Sequence, residues 1–189
     1  MLSDIYFLPA VASISVLIFF YVLYVHTDGV YLGPEYTIWN DFRSAVLPPL
    51  DKKLKPYGIR TTNRARSSEF VGRIDADLKT IEQWLWDNGY HRSPIAGLKL
   101  RTGPNGTEYE ATSWAKRTSD RAFIPDVLAE WQTHVFVFEN EDGSHDMYAH
   151  YEYSSMNPVV AYKHYRAIDM DREGGVKRVL AELDANPIV

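Results

Sequence analysis

The run from Ile5 to Val25, IYFLPAVASISVLIFFYVLYV, contains no charged residue. A helix rises 1.5 Å per residue, so about 20 apolar residues cross a hydrocarbon core of about 30 Å. The run therefore predicts one membrane-spanning helix, and every other segment is placed by its distance from it. No Lys or Arg precedes it, and Tyr24-Val25-His26 lacks the small residues of a cleavage site. Both features predict an uncleaved anchor rather than a secretory signal. Pro9 falls in the first turns, where a missing N–H costs least, and Tyr6, Tyr21 and Tyr24 lie near the two ends, as interfacial aromatics do. The only polar side chains in the run are Ser and Tyr, and one span encloses no pathway, so a tether is expected and not a channel or transporter.

Charge is uneven along the chain. The net charge of -5 divides into -3 for residues 1–50, +5 for 51–66 and -7 for 67–189. The basic stretch holds Lys52, Lys53, Lys55, Arg60, Arg64 and Arg66. Two readings stand beside each other: a solvated linker, or contact with anionic lipid headgroups, where each basic residue contributes about 1 kcal/mol near the surface. The positive-inside rule places the C-terminal domain on the cytoplasmic side of a single-pass protein. Before this stretch, Trp39, Phe42 and Val46 share one face of a short helix that starts near Pro34 and stops at Pro48-Pro49. That helix either lies in the membrane interface or packs on the domain.

From Ser67 to Val189 the pattern is that of one soluble α+β domain. Cysteine is absent, which removes disulfides, thiolate metal sites and cysteine nucleophiles. Thirteen Tyr and five Trp provide material for a core. Glu69 to Ile74 reads as a strand, followed by a helix capped by Asp75 or Asp77 and ending at Gly89, with Leu78, Ile81 and Leu85 inward. Strands follow at 95–101 and 107–117 around an Asn105-Gly106 turn, which also matches a glycosylation sequon. WQTHVFVFE (Trp131 to Glu139) and SHDMYAHYEY (Ser144 to Tyr153) form the clearest hairpin. Both faces of its first strand are apolar, so that strand is expected to be central and covered on both sides. Asp171 to Asp184 is the final helix, with Val176, Val179, Leu180 and Leu183 inward. The expected fold is a mainly antiparallel sheet of four or five strands with packed helices, after one N-terminal transmembrane helix.

The segments EFVGRID, WDNGYHRSPIAGLKLR, TSWAKR, LAEWQTHVFVFENEDG and MYAHYEYSSMNPVVAYKHYRAIDMDREGGVKRVL occur in that order. In this wording the chain resembles an uncharacterised domain family of haloarchaea and of their viruses and plasmids. The resemblance spans residues 69–183, leaves out the anchor and implies no activity.

His134, His145, His150 and His164, with Asp146 and Glu152, are the residues that could ligate a divalent metal. The hairpin's turn decides whether they can meet. A two-residue turn puts His150 on the face opposite His134; a three-residue turn pairs the two directly, beside Glu152. No HExxH or comparable spacing supports a site, so no metal or cofactor is assigned. Ser154-Ser155 lacks a nucleophile elbow and Gly174-Gly175 lacks a phosphate-loop pattern, so no catalytic or cofactor-binding residue is assigned either. The expected function is that of a membrane-anchored interaction or structural protein of a viral or cellular envelope. Its expected partners are the lipid bilayer and a protein, a second copy included, but not nucleic acid. The alternative is a membrane-tethered enzyme, or a metal- or ligand-binding domain, built on the His134, His150 and His164 region.

Overall fold

A computed structural model describes residues 33–35, 38–93, 95–103, 105–119, 121 and 124–188. The anchor expected at 5–25 lies outside the described residues. Among the described residues no helix is long and apolar enough to cross a membrane.

The fold is α+β. Its centre is a five-stranded antiparallel sheet in the order β2 (Phe70–Ile74), β8 (His145–Tyr153), β7 (Trp131–Glu139), β6 (Thr112–Arg117), β3 (His91–Arg92). One face of this sheet carries Trp114, Val135, Val137, Met147 and Ala149, all fully buried. Against them pack helix α2 (Leu78–Asp87), through Ile81, Trp84 and Leu85, and helix α4 (Arg172–Ala185), through Val179. The Asp77 carboxylate caps α2 by accepting from the Thr80 N–H at 2.7 Å, so the strand-then-helix reading of 69–89 holds. Asp171 caps α4 by accepting from the Gly174 N–H. Helix α4 differs from its predicted stripe: Leu180 is exposed, and Gly175 and Val179 are the buried positions. The reason lies at Gly175, where an added Cβ would sit 2.2 Å from His150 Cα. The helix backbone rests directly on β8 there, and that contact sets its rotation.

The other face of the large sheet is covered by a second, three-stranded sheet in the order β1 (Thr62–Arg64), β4 (Leu98–Gly103), β5 (Gly106–Tyr109), in which β1 and β4 run parallel. Lys99 and Arg101 of β4 place their charges 5.0 and 4.8 Å from the ring centroids of Phe136 and Phe138. The strand expected at 107–117 is thus two strands in two sheets. The chain switches sheets at Glu110 because its carboxylate is buried against Arg43 and accepts from the Lys99 N–H at 3.0 Å. The expected Asn105-Gly106 turn is displaced by one residue, since Gly103 pairs with Gly106.

The segment expected as a linker folds too. Helix α1 (Ile38–Leu54) continues through Pro48 and Pro49 instead of stopping there. Interior proline costs about 3 kcal/mol. Tertiary contacts offset it: Leu47 and Arg43 are buried, Thr61 Oγ1 donates to the Leu47 carbonyl, and Asp51 accepts from the Thr61 and Thr62 N–H groups. The compact unit therefore starts at Gly33, well before the boundary read at Ser67. On α1, Arg43 and Leu47 face the fold, whereas Phe42 and Val46 face outward.

Candidate functional site

The geometry of the site begins with a turn. Asn140 N–H donates to the Ser144 carbonyl at 2.9 Å, leaving three residues between them. Gly143 takes φ +81°, and Asp142 accepts from the Ser144 N–H and hydroxyl. This is a three-residue loop with glycine at its left-handed position. It sets the register that pairs His134 with His150 and Gln132 with Glu152. The even-numbered residues of both strands consequently share one face, turned away from the apolar core and toward the small sheet.

On that face one carboxylate oxygen is the hub. Glu152 Oε1 lies 3.1 Å from His134 Nδ1, 3.0 Å from His150 Nε2, 3.0 Å from His164 Nδ1 and 3.1 Å from Gln132 Nε2. His134 Nδ1 and His150 Nε2 are themselves 3.2 Å apart. His164 arrives from the short helix α3 (Ala161–Tyr165), and its Nδ1 is not aligned to donate a hydrogen bond. An outer ring of partners orients these groups. His134 Nε2 meets Ser113 Oγ at 2.7 Å, and His150 Nδ1 meets Glu69 Oε1 at 2.8 Å. Glu69 also pairs with Lys99 Nζ at 3.1 Å and accepts from the Arg66 N–H. Gln132 Oε1 accepts from Arg117 Nε at 3.0 Å. No side chain among His134, His150, Glu152 and His164 is more than 6% exposed.

Burial and pairing act in opposite directions here. Burial pushes the His134 pKa down to about 3, against the nearby Glu152 carboxylate that would raise it. Burial pushes the Glu69 carboxyl up, but the His150 hydrogen bond and the Lys99 charge outweigh it and hold the pKa at about 2. Burial also raises Glu152, and the facing His150 and His164, with hydrogen bonds from His134 and His150, bring it well below the usual range. Both carboxylates are ionised.

The structure thus gathers His134, His150, Glu152 and His164 into one cluster. It takes His145 and Asp146 elsewhere: His145 Nδ1 contacts the Ala76 carbonyl, and Asp146 pairs with Arg73 and Arg101. Glu69, Lys99, Ser113 and Gln132 belong to the cluster and were missed as site residues. Gln132 and Ser113 left a signal, a polar group at an inward strand position; Glu69 and Lys99 left none, because they arrive from distant segments. Lys52, Lys53, Lys55, Arg60, Arg64 and Arg66 are all exposed, on α1, the turn after it, β1 and the approach to β2.

A cavity of about 1040 Å³ bounded by Trp131, Tyr151, Val160 and Arg178 has none of the cluster residues in its lining. No protein-family model matches the chain, and no curated protein or solved structure is similar to it.

Proposed function

We propose that the protein is a membrane-anchored, non-catalytic binding domain, tethered by residues 5–25 and carried close to the bilayer by α1. The observation that carries this reading is how tightly the chain nearest the apolar run is held. Arg92 donates to the carbonyls of Gly33 and Pro34 at 3.1 and 2.9 Å, while pairing with Glu82 and stacking over Trp114. Arg43 of α1 donates to the carbonyls of Ala96 and Gly97 and pairs with Glu110. Two buried guanidinium groups thus bind Gly33, Pro34 and α1, which follow the apolar run in sequence, into the domain. The exposed Phe42 and Val46 of α1, followed by Lys52, Lys53 and Lys55, supply apolar and cationic groups suited to an anionic headgroup region. Catalysis is not part of this reading: the His134, His150, Glu152 and His164 cluster is buried away from solvent.

Fractionation tests the proposal. The full chain should stay in the membrane pellet through alkaline and high-salt washes, and release by either wash would refute the anchor. Replacing Lys52, Lys53 and Lys55 by Glu should weaken association of anionic vesicles with the domain face without releasing the chain. Protease access in intact cells or virions then assigns the side on which the domain lies.

A further inference from the structure

We infer that His134, His150 and Glu152 form a binding site for a divalent metal ion of the zinc class. The first argument is spacing. An ion held tetrahedrally at about 2.0–2.1 Å keeps its ligand atoms about 3.3–3.4 Å apart. The three separations among these atoms, 3.2, 3.1 and 3.0 Å, are within a small outward adjustment of that figure. Two imidazole nitrogens and a carboxylate oxygen are a donor set that suits zinc and its late first-row neighbours.

The second argument is where the protons go. His150 Nδ1 lies 2.8 Å from Glu69 Oε1, which engages the outer nitrogen of the ring. Its inner nitrogen, Nε2, lies 3.0 Å from the Glu152 oxygen, so an ion taking the place of the shared proton would be held by both atoms. His134 has the same construction, with Ser113 Oγ on its outer nitrogen and the inner one turned to the hub. A histidine whose outer N–H is handed to an oxygen, and whose inner nitrogen faces shared space, is the standard arrangement of a metal ligand.

The third argument is the missing counter-charge. Lys99 is taken up by Glu69, and Arg117 donates to the Gln132 amide oxygen, whose nitrogen donates to Glu152. No Lys or Arg contacts Glu152 Oε1 among the described residues. The His164 Nδ1 atom is buried 3.0 Å from this same oxygen and has no aligned hydrogen-bond partner. The ring's other nitrogen accepts a long hydrogen bond from the Gly97 N–H at 3.5 Å. The three donors are all buried, so the site is shut off from solvent.

The test uses the full chain in detergent, stripped with a chelator. It is titrated with Zn²⁺ against a chromogenic chelator, and separately with Co²⁺ followed by visible absorption. The expected result is one equivalent of either ion, a tetrahedral Co²⁺ spectrum and a higher thermal midpoint with Zn²⁺. His150→Ala should abolish uptake, and His145→Ala, outside the cluster, should keep it. Because His150→Ala can fail to fold, Glu69→Gln serves as the second variant. It retains an acceptor for His150 and should weaken binding by about ten- to a hundredfold. A folded wild-type chain that takes up no equivalent overturns the inference. Uptake with unchanged affinity in Glu69→Gln and His150→Ala does so too, as would nitrogen chemical shifts placing protons on both His150 nitrogens in the Zn²⁺-treated chain.

Discussion

His134 and Val135 are neighbours in β7, each almost completely buried, and their side chains enter two different kinds of interior. Val135 joins Val137, Met147, Ala149 and the inward residues of α2 and α4, where contact is non-directional. His134 joins Gln132, Ser113, His150 and Glu152, where each atom needs a partner at a set distance. One hairpin therefore serves as the middle layer between an interior governed by volume and one governed by valence. The apolar side should forgive replacements of similar size. The polar side should not, because removing one member strands the others in a medium that cannot solvate them.

The largest effect is expected from Glu69→Ala, which leaves Lys99 and His150 without their shared carboxylate. Breaking a buried pair by removing one partner costs about 3–5 kcal/mol. Urea unfolding should show that loss, and the added replacement Lys99→Met should return part of it. On the opposite side Leu85→Ala should cost about 2–5 kcal/mol through a cavity, whereas Leu85→Met should stay below about 1.5 kcal/mol. If Leu85→Met proved as harmful as Glu69→Ala, the contrast between the two interiors would collapse. Ser113→Ala removes only the outer partner of His134 and should cost about 1–3 kcal/mol in the same assay.

Acid should act on the polar side first. The Glu69 pKa falls from an ordinary 4.5 to about 2 on folding. A depressed carboxylate stabilises fully above its unfolded pKa, and that contribution is lost as pH falls from 4.5 toward 2. Urea midpoints measured across that window should decline more shallowly in Glu69→Gln than in wild type. The smallest effect belongs to Leu180→Ser, an exposed position on α4, where the change in stability should be within about 0.5 kcal/mol.

The β7–β8 hairpin was legible in the sequence because WQTHVFVFE is apolar on both faces and is followed by a glycine turn. The α2 cap and the antiparallel sheet were legible for similar local reasons. The register was reducible to two options, and only the left-handed Gly143 inside a three-residue loop chooses between them. What escaped was everything that depends on distance along the chain. Glu69 meets His150 across 81 positions and Arg43 meets Gly97 across 54. The charge of 51–66 resembles a solvated linker because nothing local reveals that Leu47, Asp51 and Thr61 lock together. The parallel β1–β4 pairing is a crossover of the same kind.

Gly175 gives the two interiors a common point of failure. Its missing side chain lets the backbone of α4 lie on His150, so any larger residue must push β8 toward the histidines or lift the helix off Val135 and Ala149. A genetic screen for loss of the buried cluster would therefore recover substitutions in a helix that contributes no polar group to it. Such variants would look like damage to the histidines while leaving every histidine in place.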